Sequence, residues 1–293
     1  MGILNVTPDS FADGGLYLDP AAAEAAAVEM IERGADIIDV GGESTRPGSE
    51  TISTDTEISR IKPVLARLAR TVTIPISIDT SKPEVAEVAI GEGASLINDV
   101  TGLRGALGGA SGPSEARSRR ARASGGEAPR ALGYDASLAA IAARSGSGLI
   151  LMHSRGRSRD MYKDANYVSV HKEMVDELRG SFDCATAAGV RRECIVLDPG
   201  LGFSKRPEHS YEALAALPAL AALGCPLLVG PSRKSFLSAA IGARDPGERD
   251  MATAASVTAA VLLGAHIVRV HNVPAMVDVV RVADAIRRAD PAG

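Results

Sequence analysis

The chain has 293 residues, of which 45% are hydrophobic, and a formal net charge of −4 at pH 7. This length suits one barrel or two smaller domains, and no apolar run reaches the roughly 18 residues of a membrane span. The acidic balance, with 3% aromatic residues and no tryptophan, argues against a nucleic-acid-binding surface, so neither nucleic acid nor a membrane is expected as a partner.

Short apolar runs alternate along the chain with longer helical segments. The runs are continuous rather than alternating, as in strands buried on both faces. The predicted strands are Gly2–Asn5, Asp36–Val40, Ile74–Asp79, Ser95–Asp99, Gly148–His153, Cys194–Asp198, Pro226–Val229 and His266–His271. The predicted helices are Pro20–Arg33, Thr54–Arg70, Pro83–Glu92, Asp135–Arg144, Val168–Ala188, Glu208–Leu223, Asp250–Leu263 and Pro274–Arg288.

Eight strands alternating with eight helices predict an α/β fold of the (β/α)8 TIM-barrel type, formed as one domain over residues 1–293. A doubly wound open sheet is the alternative, because a sequence pattern does not show whether the sheet closes.

Residues 105–131 interrupt this rhythm. The segment is rich in Gly, Ala, Ser and Arg, contains five Arg and two Glu, and has no apolar periodicity. We expect a disordered insertion after the fourth strand. A basic tether for an acidic partner and a retained intervening sequence are the alternatives.

The cysteines Cys184, Cys194 and Cys225 are scattered and form no CxxC pair. They predict reduced thiols in a cytoplasmic compartment. The first predicted strand begins at Gly2, so we expect a longer native N-terminus, and an organellar targeting segment stays open.

Each predicted strand ends in groups that can form hydrogen bonds. In β/α barrels such ends converge on one rim, where the chemistry lies. Taken singly, an Asp after a strand is often a helix N-cap, and a lone His such as His153 is more often structural. Together these groups predict one site.

The polar strand ends divide into two groups. Arginine suits phosphate oxygens and asparagine oxygen suits a hard metal ion, so the first and eighth strands predict a phosphate site of Asn5, Arg269 and His271. Acceptor groups on other strands suit a heterocycle rich in N–H donors, with a lysine beside them: Asp79, Asn98, Asp198 and Lys234.

Several motifs in order carry a specific family resemblance. They are Met1–Phe11, Gly41–Gly48, Ile78–Thr80, Ile97–Val100, Met152–Gly156, Leu197–Phe203, Ser232–Lys234 and Val268–His271. Across nearly the whole chain apart from 105–131, the sequence resembles the dihydropteroate synthases. These transferases of folate biosynthesis contain the sulfonamide target site.

The resemblance implies that p-aminobenzoate attacks the methylene carbon of 6-hydroxymethyl-7,8-dihydropterin pyrophosphate, and that 7,8-dihydropteroate forms while pyrophosphate leaves with Mg²⁺. It assigns the pterin to Asp79, Asn98, Asp198 and Lys234, and the pyrophosphate to Asn5, Arg269 and His271, with Asn5 as a metal ligand. It assigns p-aminobenzoate to Thr45, Arg46, Pro47, Phe203 and Ser235. It also implies a homodimer through the last helices, and membership of a larger folate-synthesis polypeptide is a further alternative.

The reaction implied by the resemblance needs no nucleophilic side chain, because the leaving group and the amine are already reactive. We expect positioning and charge stabilisation to carry catalysis, with Asp79, Asp198 and Lys234 as the catalytic groups. The loops Thr7–Leu16 and Glu43–Thr51 are predicted to close over substrate. Asn272 departs from the family pattern, in which Asp follows the His.

Two other functions remain in view. A corrinoid-linked, pterin-dependent methyltransferase barrel shares Asp79, Asn98 and Asp198, but does not need the Ser44–Pro47 loop or the Ser232–Lys234 motif that this chain carries. A catalytically silent pterin-binding protein is the other alternative, and the presence of Lys234, Arg269 and His271 argues against it.

Overall fold

The computed structural model describes residues 1–7, 19–45, 49–104, 133–155, 162 and 165–289. These residues form eight β-strands: β1 (Gly2–Asn5), β2 (Ile38–Gly41), β3 (Ile76–Asp79), β4 (Leu96–Asp99), β5 (Gly148–Met152), β6 (Ile195–Asp198), β7 (Leu228–Val229) and β8 (Ile267–Val268). They also form ten α-helices: α1 (Pro20–Glu32), α2 (Thr54–Thr71), α3 (Pro83–Gly91), α4 (Ser137–Ser145), α5 (Val170–Ala187), α6 (Pro207–Ala215), α7 (Leu217–Ala221), α8 (Ser238–Ile241), α9 (Asp250–Leu262) and α10 (Val273–Arg288).

The strands close into a barrel. Strands β1 to β6 form one parallel sheet in chain order, and β7 pairs in parallel with β8. Isolated parallel bridges from Leu197 to Leu227 and from Gly2 to Val270 join the two sheets at both edges. The predicted TIM barrel is therefore confirmed over the alternative of an open doubly wound sheet.

The barrel interior is apolar at one end and polar at the other. Its apolar end is packed with side chains from most strands: Met1, Ile37, Leu96, Ile150, Val196, Leu228 and Ile267. Because side chains alternate along a strand, the residue two positions further on also faces inward. Those positions are Ile3, Asp39, Asn98, Met152, Asp198, Gly230 and Arg269; four of the seven are polar or charged, so a largely polar layer lies directly above the apolar one.

The second half of the barrel differs from the predicted helices at two points, the unpredicted α8 and a break in one predicted helix. The single helix predicted over Glu208–Leu223 is wrong, because α6 ends at Ala215 and α7 starts at Leu217. Pro218 lacks the N–H that a continuous helix would donate to Leu214, and a proline is best tolerated in a first turn, although α2 continues through Pro63. The chain restarts so that Pro218 falls in the first turn of α7.

Some predictions fall outside the described residues: the insertion at 105–131, most of the Thr7–Leu16 loop, and Arg46 and Pro47. Among the helices that are described, none has both the length and the apolar composition needed to span a bilayer.

Candidate active site

The polar layer of the barrel is centred on Arg269, which extends from the end of β8. Its Nε donates to Asp39 Oδ2 at 2.6 Å, and its Nη2 donates to Asp79 Oδ2 at 2.8 Å. Both carboxylates are buried. One guanidinium therefore compensates two carboxylates that burial alone would make costly.

Asn98 joins this group from β4, where it pairs in register with Asp79. Its Nδ2 donates to Asp39 Oδ2 at 3.2 Å. The second oxygens of Asp39 and Asp79, both named Oδ1, are buried and have no hydrogen-bond partner among the described residues. The site therefore offers acceptor atoms that a ligand rich in N–H donors can satisfy.

Sequence reasoning missed Asp39. Its signal was a charged residue inside the apolar run Ile37–Val40. Strand pairing sets Asp39 beside Ser77, one inward-facing level below Asp79. The sequence pattern showed the charge but not the arginine that accounts for it.

Burial changes the protonation of the carboxylates. It raises the pKa of Asp79 to about 7, although Arg269 opposes the shift, and the nearby carboxylate of Asp39 raises it further. Burial also raises the pKa of Asp198, while Lys234 opposes it. Asp79 therefore changes charge near neutral pH.

Lys234 lies close enough to these acids for both Asp198 and Asp79 to affect its pKa. Its Nζ donates to the carbonyl oxygen of Leu201 at 2.5 Å and lies 4.5 Å from the centre of the Phe203 ring. Burial lowers the pKa of Lys234 to about 8, and Asp198 opposes that shift. Asp198 itself accepts from the Gly200 N–H at 2.7 Å. Lys234 on the loop after β7 therefore contacts the loop after β6, which follows Asp198 and carries Phe203.

Asn5 lies at the end of β1, beside Gly41. A Cβ at Gly41 would lie 3.7 Å from Asn5 Oδ1 and 3.9 Å from Asp79 Oδ2. The glycine keeps the space between these two oxygens open. No cluster of three or more His, Cys, Asp or Glu side chains within the described ranges is arranged to hold a metal.

His271 is fastened to the loop after β7. Its backbone N–H donates to Ser232 Oγ at 3.1 Å, and its Nδ1 lies 3.0 Å from the same oxygen.

The predicted phosphate group and the predicted pterin group are continuous, because Arg269 of the first contacts Asp79 of the second. Of the residues assigned to p-aminobenzoate, Thr45 and Phe203 are half-buried and Ser235 is exposed, whereas Arg46 and Pro47 lie outside the described residues.

A second buried network lies behind the Phe203 loop and was also missed. Lys205 is 1% exposed. Its Nζ contacts His153 Nδ1 at 2.7 Å and the carbonyl oxygens of His153, Gly200 and Phe203 at 3.1–3.3 Å. Burial lowers the pKa of His153 to about 3, so the imidazole is neutral. It accepts from Lys205 and donates through Nε2 to Glu177 at 2.9 Å. Lys205 thereby joins the loop after β6 to the end of β5.

The loop after β2 has its own anchor. Lys82 contacts Glu43 and donates to Glu57 Oε2 at 2.6 Å, while Glu43 Oε1 accepts from the Ile52 N–H at 3.2 Å. The base of the loop that carries Thr45 is therefore tied to the start of α2 and the end of β3.

Comparison with known proteins agrees with this fold and site. The family model described as "Pterin binding enzyme" matches residues 1–271. The dihydropteroate synthase of Synechocystis is 41% identical over 98% of this chain and 90% of its own length. The "Folate synthesis bifunctional protein, mitochondrial" of Pisum sativum is 39% identical over 98% of this chain and 53% of its own length.

Two solved structures are similarly close. The Yersinia pestis dihydropteroate synthase in complex with a sulfonamide drug has a TM-score of 0.84 at 34% identity, covering 99% of this chain and 94% of that one. The Xanthomonas albilineans dihydropteroate synthase with 4-aminobenzoic acid has a TM-score of 0.82 at 35% identity, covering 99% and 93%.

A closed β/α barrel with a buried acceptor-rich rim and this family match defines the class: the chain belongs to the pterin-binding enzymes. Within that class it belongs to the dihydropteroate synthase family, whose members are transferases of folate biosynthesis.

The Lys205 network predicts a stability effect. Lys205→Met keeps the length of the side chain but leaves His153 Nδ1 and the carbonyls without a donor, so we expect unfolding to become easier by about 3 kcal/mol. Urea denaturation measures this. Lys172→Met, at an exposed lysine, is the control and changes stability by less than about 0.5 kcal/mol. Equal stability of the two variants would contradict a role for the network.

Proposed function

We propose that this chain condenses p-aminobenzoate with 6-hydroxymethyl-7,8-dihydropterin pyrophosphate to give 7,8-dihydropteroate and pyrophosphate. The observation that carries the proposal is the buried acceptor layer of Asp79, Asn98 and Asp198, with Arg269 at its centre and Lys234 beside it. The name of the Xanthomonas structure, which includes 4-aminobenzoic acid, supports the second substrate.

The pterin is proposed to bind in this layer. Its ring N–H groups suit the buried Oδ1 of Asp79, which is without a hydrogen-bond partner among the residues described, and the carboxylate of Asp198. Lys234 can donate to a ring carbonyl or nitrogen. Binding would then satisfy polar atoms that are otherwise costly to bury.

The pyrophosphate is proposed to lie against Asn5, Arg269 and His271. The Arg269 bonds to Asp39 and Asp79 run through Nε and Nη2. A guanidinium has five N–H groups in a rigid fork, so the same side chain has further donors for phosphate oxygens. It would bridge the two halves of the substrate.

Mg²⁺ is proposed to bind with the pyrophosphate. The residues present fit such an ion, because Asn5 supplies an amide oxygen at the rim. Mg²⁺ commonly keeps several waters and binds through one or two protein oxygens plus substrate phosphates rather than in a protein cage. When bound, the ion supplies positive charge that neutralises the leaving pyrophosphate.

The p-aminobenzoate is proposed to lie above the pterin, framed by Thr45, Arg46, Pro47, Phe203 and Ser235. Phe203 is the best-supported member, because Lys234 Nζ lies 4.5 Å from its ring. An aromatic acid against this ring would place its amine near the pterin methylene.

The chemistry then requires positioning and charge stabilisation. The C–O bond to pyrophosphate breaks, the amine forms the new C–N bond, and the amine loses one proton. Ionised Asp79 and Asp198 favour the cation that develops on the pterin methylene, while Arg269 favours the departing anion. This arrangement suits a dissociative substitution.

The assembly is proposed to be one domain that forms a homodimer through α9 and α10. Exposed apolar side chains supply the surface: Met251 and Leu262 on α9, and Val282 and Ile286 on α10. Ala254 and Ala259 instead pack against the core. A cytoplasm-like compartment is proposed from three unpaired thiols, and fusion to another folate enzyme, as the name of the Pisum sativum relative indicates, is the alternative organisation.

The function is tested by pyrophosphate release with both substrates and Mg²⁺. We expect activity in the unaltered chain, a loss of at least about 100-fold in Lys234→Ala, and activity close to the unaltered level in Lys172→Ala. Deleting residues 105–131 is expected to leave activity intact. Full activity in Lys234→Ala would overturn the site, and no dihydropteroate from the unaltered chain would overturn the function.

The metal proposal predicts a changed Mg²⁺ requirement. Asn5→Ala removes the amide oxygen, so we expect the Mg²⁺ concentration for half-maximal activity to rise about ten-fold, with little change in binding of a pterin that lacks the pyrophosphate. A Mg²⁺ titration of activity and calorimetry with the bare pterin measure the two effects. An unchanged Mg²⁺ requirement would exclude Asn5 as a ligand.

The pKa values predict a narrow pH optimum. The ratio kcat/KM for the pterin pyrophosphate reports ionisations of the free enzyme. It is expected to fall below pH 7 as Asp79, with its pKa of about 7, gains a proton and loses an acceptor. It is expected to fall above pH 8 as Lys234, with its pKa of about 8, loses a proton. In Lys234→Arg the alkaline fall disappears from the residual activity, because arginine does not titrate there; an alkaline fall that persists would belong to another group.

A further inference from the structure

Arg233 has an unfavourable backbone conformation between two residues of the site. Its φ is +58°, a left-handed value that residues other than glycine rarely adopt. Ser232 on one side contacts His271, and Lys234 on the other enters the pterin pocket. Strained backbone of this kind persists only where the surroundings hold it.

Contacts from Arg249 and from the first turn of α9 hold Arg233 at its backbone and its side chain. Its N–H donates to Thr253 Oγ1 at 3.0 Å, and its carbonyl oxygen accepts from Arg249 Nη1 at 2.8 Å. Its guanidinium donates to both carboxylate oxygens of Asp250, with Nε 2.8 Å from Oδ1 and Nη2 3.0 Å from Oδ2. A paired, bidentate contact of this type fixes orientation as well as distance.

Asn272 links Asp250 to the loop after β8. Its Nδ2 donates to Asp250 Oδ2 at 2.8 Å, and its Oδ1 accepts from the Ala275 N–H at 3.3 Å as the N-cap of α10. It directly follows His271. Asp250 therefore connects the loop that carries Lys234 with the loop that carries His271.

We propose that Asp250 and Asn272 form a positioning pair that sets the distance between Lys234 and His271, and so between the pterin and pyrophosphate ends of one substrate. The inference rests on the proposed function. Neither residue contacts the reacting atoms; both act through Arg233 and the backbone.

The pair requires one carboxylate and one amide. One of the two must be a carboxylate, which offsets the charge of the Arg233 guanidinium, and the other must be an amide, which donates to that carboxylate. A carboxylate at 272 would still cap α10, since Asp and Asn are equivalent N-caps, but it would face Asp250 without a donor. Asn272→Asp therefore tests the bond to Asp250 with the helix cap intact.

The experiment compares Asn272→Asp, Asp250→Asn and the double exchange. Steady-state assays give kcat and KM for each substrate, and urea denaturation gives stability. Each single change is expected to raise KM for the pterin pyrophosphate about ten-fold, with a smaller effect on KM for p-aminobenzoate. The double exchange is expected to recover at least half of the loss, because the amide at 250 then donates to the carboxylate at 272.

Asp278→Asn is the matched control, an identical change on α10 at a side chain that is 82% exposed, and it is expected to leave KM unchanged. Asn272→Ser, which can cap the helix but cannot reach Asp250, is expected to reproduce the loss without adding a charge. Unchanged KM in Asn272→Ser and Asp250→Asn, or no recovery in the double exchange, would overturn the positioning pair. Failure of the proposed function would instead appear in the unaltered chain as absent dihydropteroate synthesis.

Discussion

The guanidinium of Arg269 lies between the carboxylates of Asp39 and Asp79, and the upper half of the barrel is built around this contact. The three side chains come from β2, β3 and the end of β8, so the contact forms only when the barrel closes. Two buried carboxylates without a cation would be strongly unfavourable. The arginine allows an acid-rich pocket to exist inside the fold. The carboxylate oxygens of the described site that have no hydrogen-bond partner remain available to bind a ligand.

Three loops around the rim are each held in place by a separate polar contact. Lys205 holds the loop after β6, Lys82 holds the base of the loop after β2, and Asp250 holds the loop after β7. Each contact joins a loop to a neighbouring strand end or helix start. In a reaction that needs placement more than chemical participation, such contacts are the means by which the scaffold affects rate.

Much of the site was predictable, because the carboxyl end of each barrel strand can be located in the sequence. The polar residues that follow apolar runs mark the rim, so the sequence alone places Asp79, Asn98, Asp198 and Lys234 in one group. Asp39 and Lys205 were not predictable in the same way. Asp39 lies within a strand rather than after it, and the acceptors of Lys205 include carbonyl oxygens, which leave no trace in a sequence. The break between α6 and α7 was readable at Pro218, but the surrounding apolar pattern continued through it.

The sequence by itself determined the order and type of the elements, the position of the rim and the family, because apolar periodicity and local motifs are properties of neighbouring residues. Only the tertiary structure decided that the sheet closes, that Arg269 belongs to Asp39 and Asp79, and that Asn272 donates to Asp250. These contacts join residues as many as 230 positions apart in the chain. Their partners are chosen by strand register and barrel closure, and no local pattern encodes either.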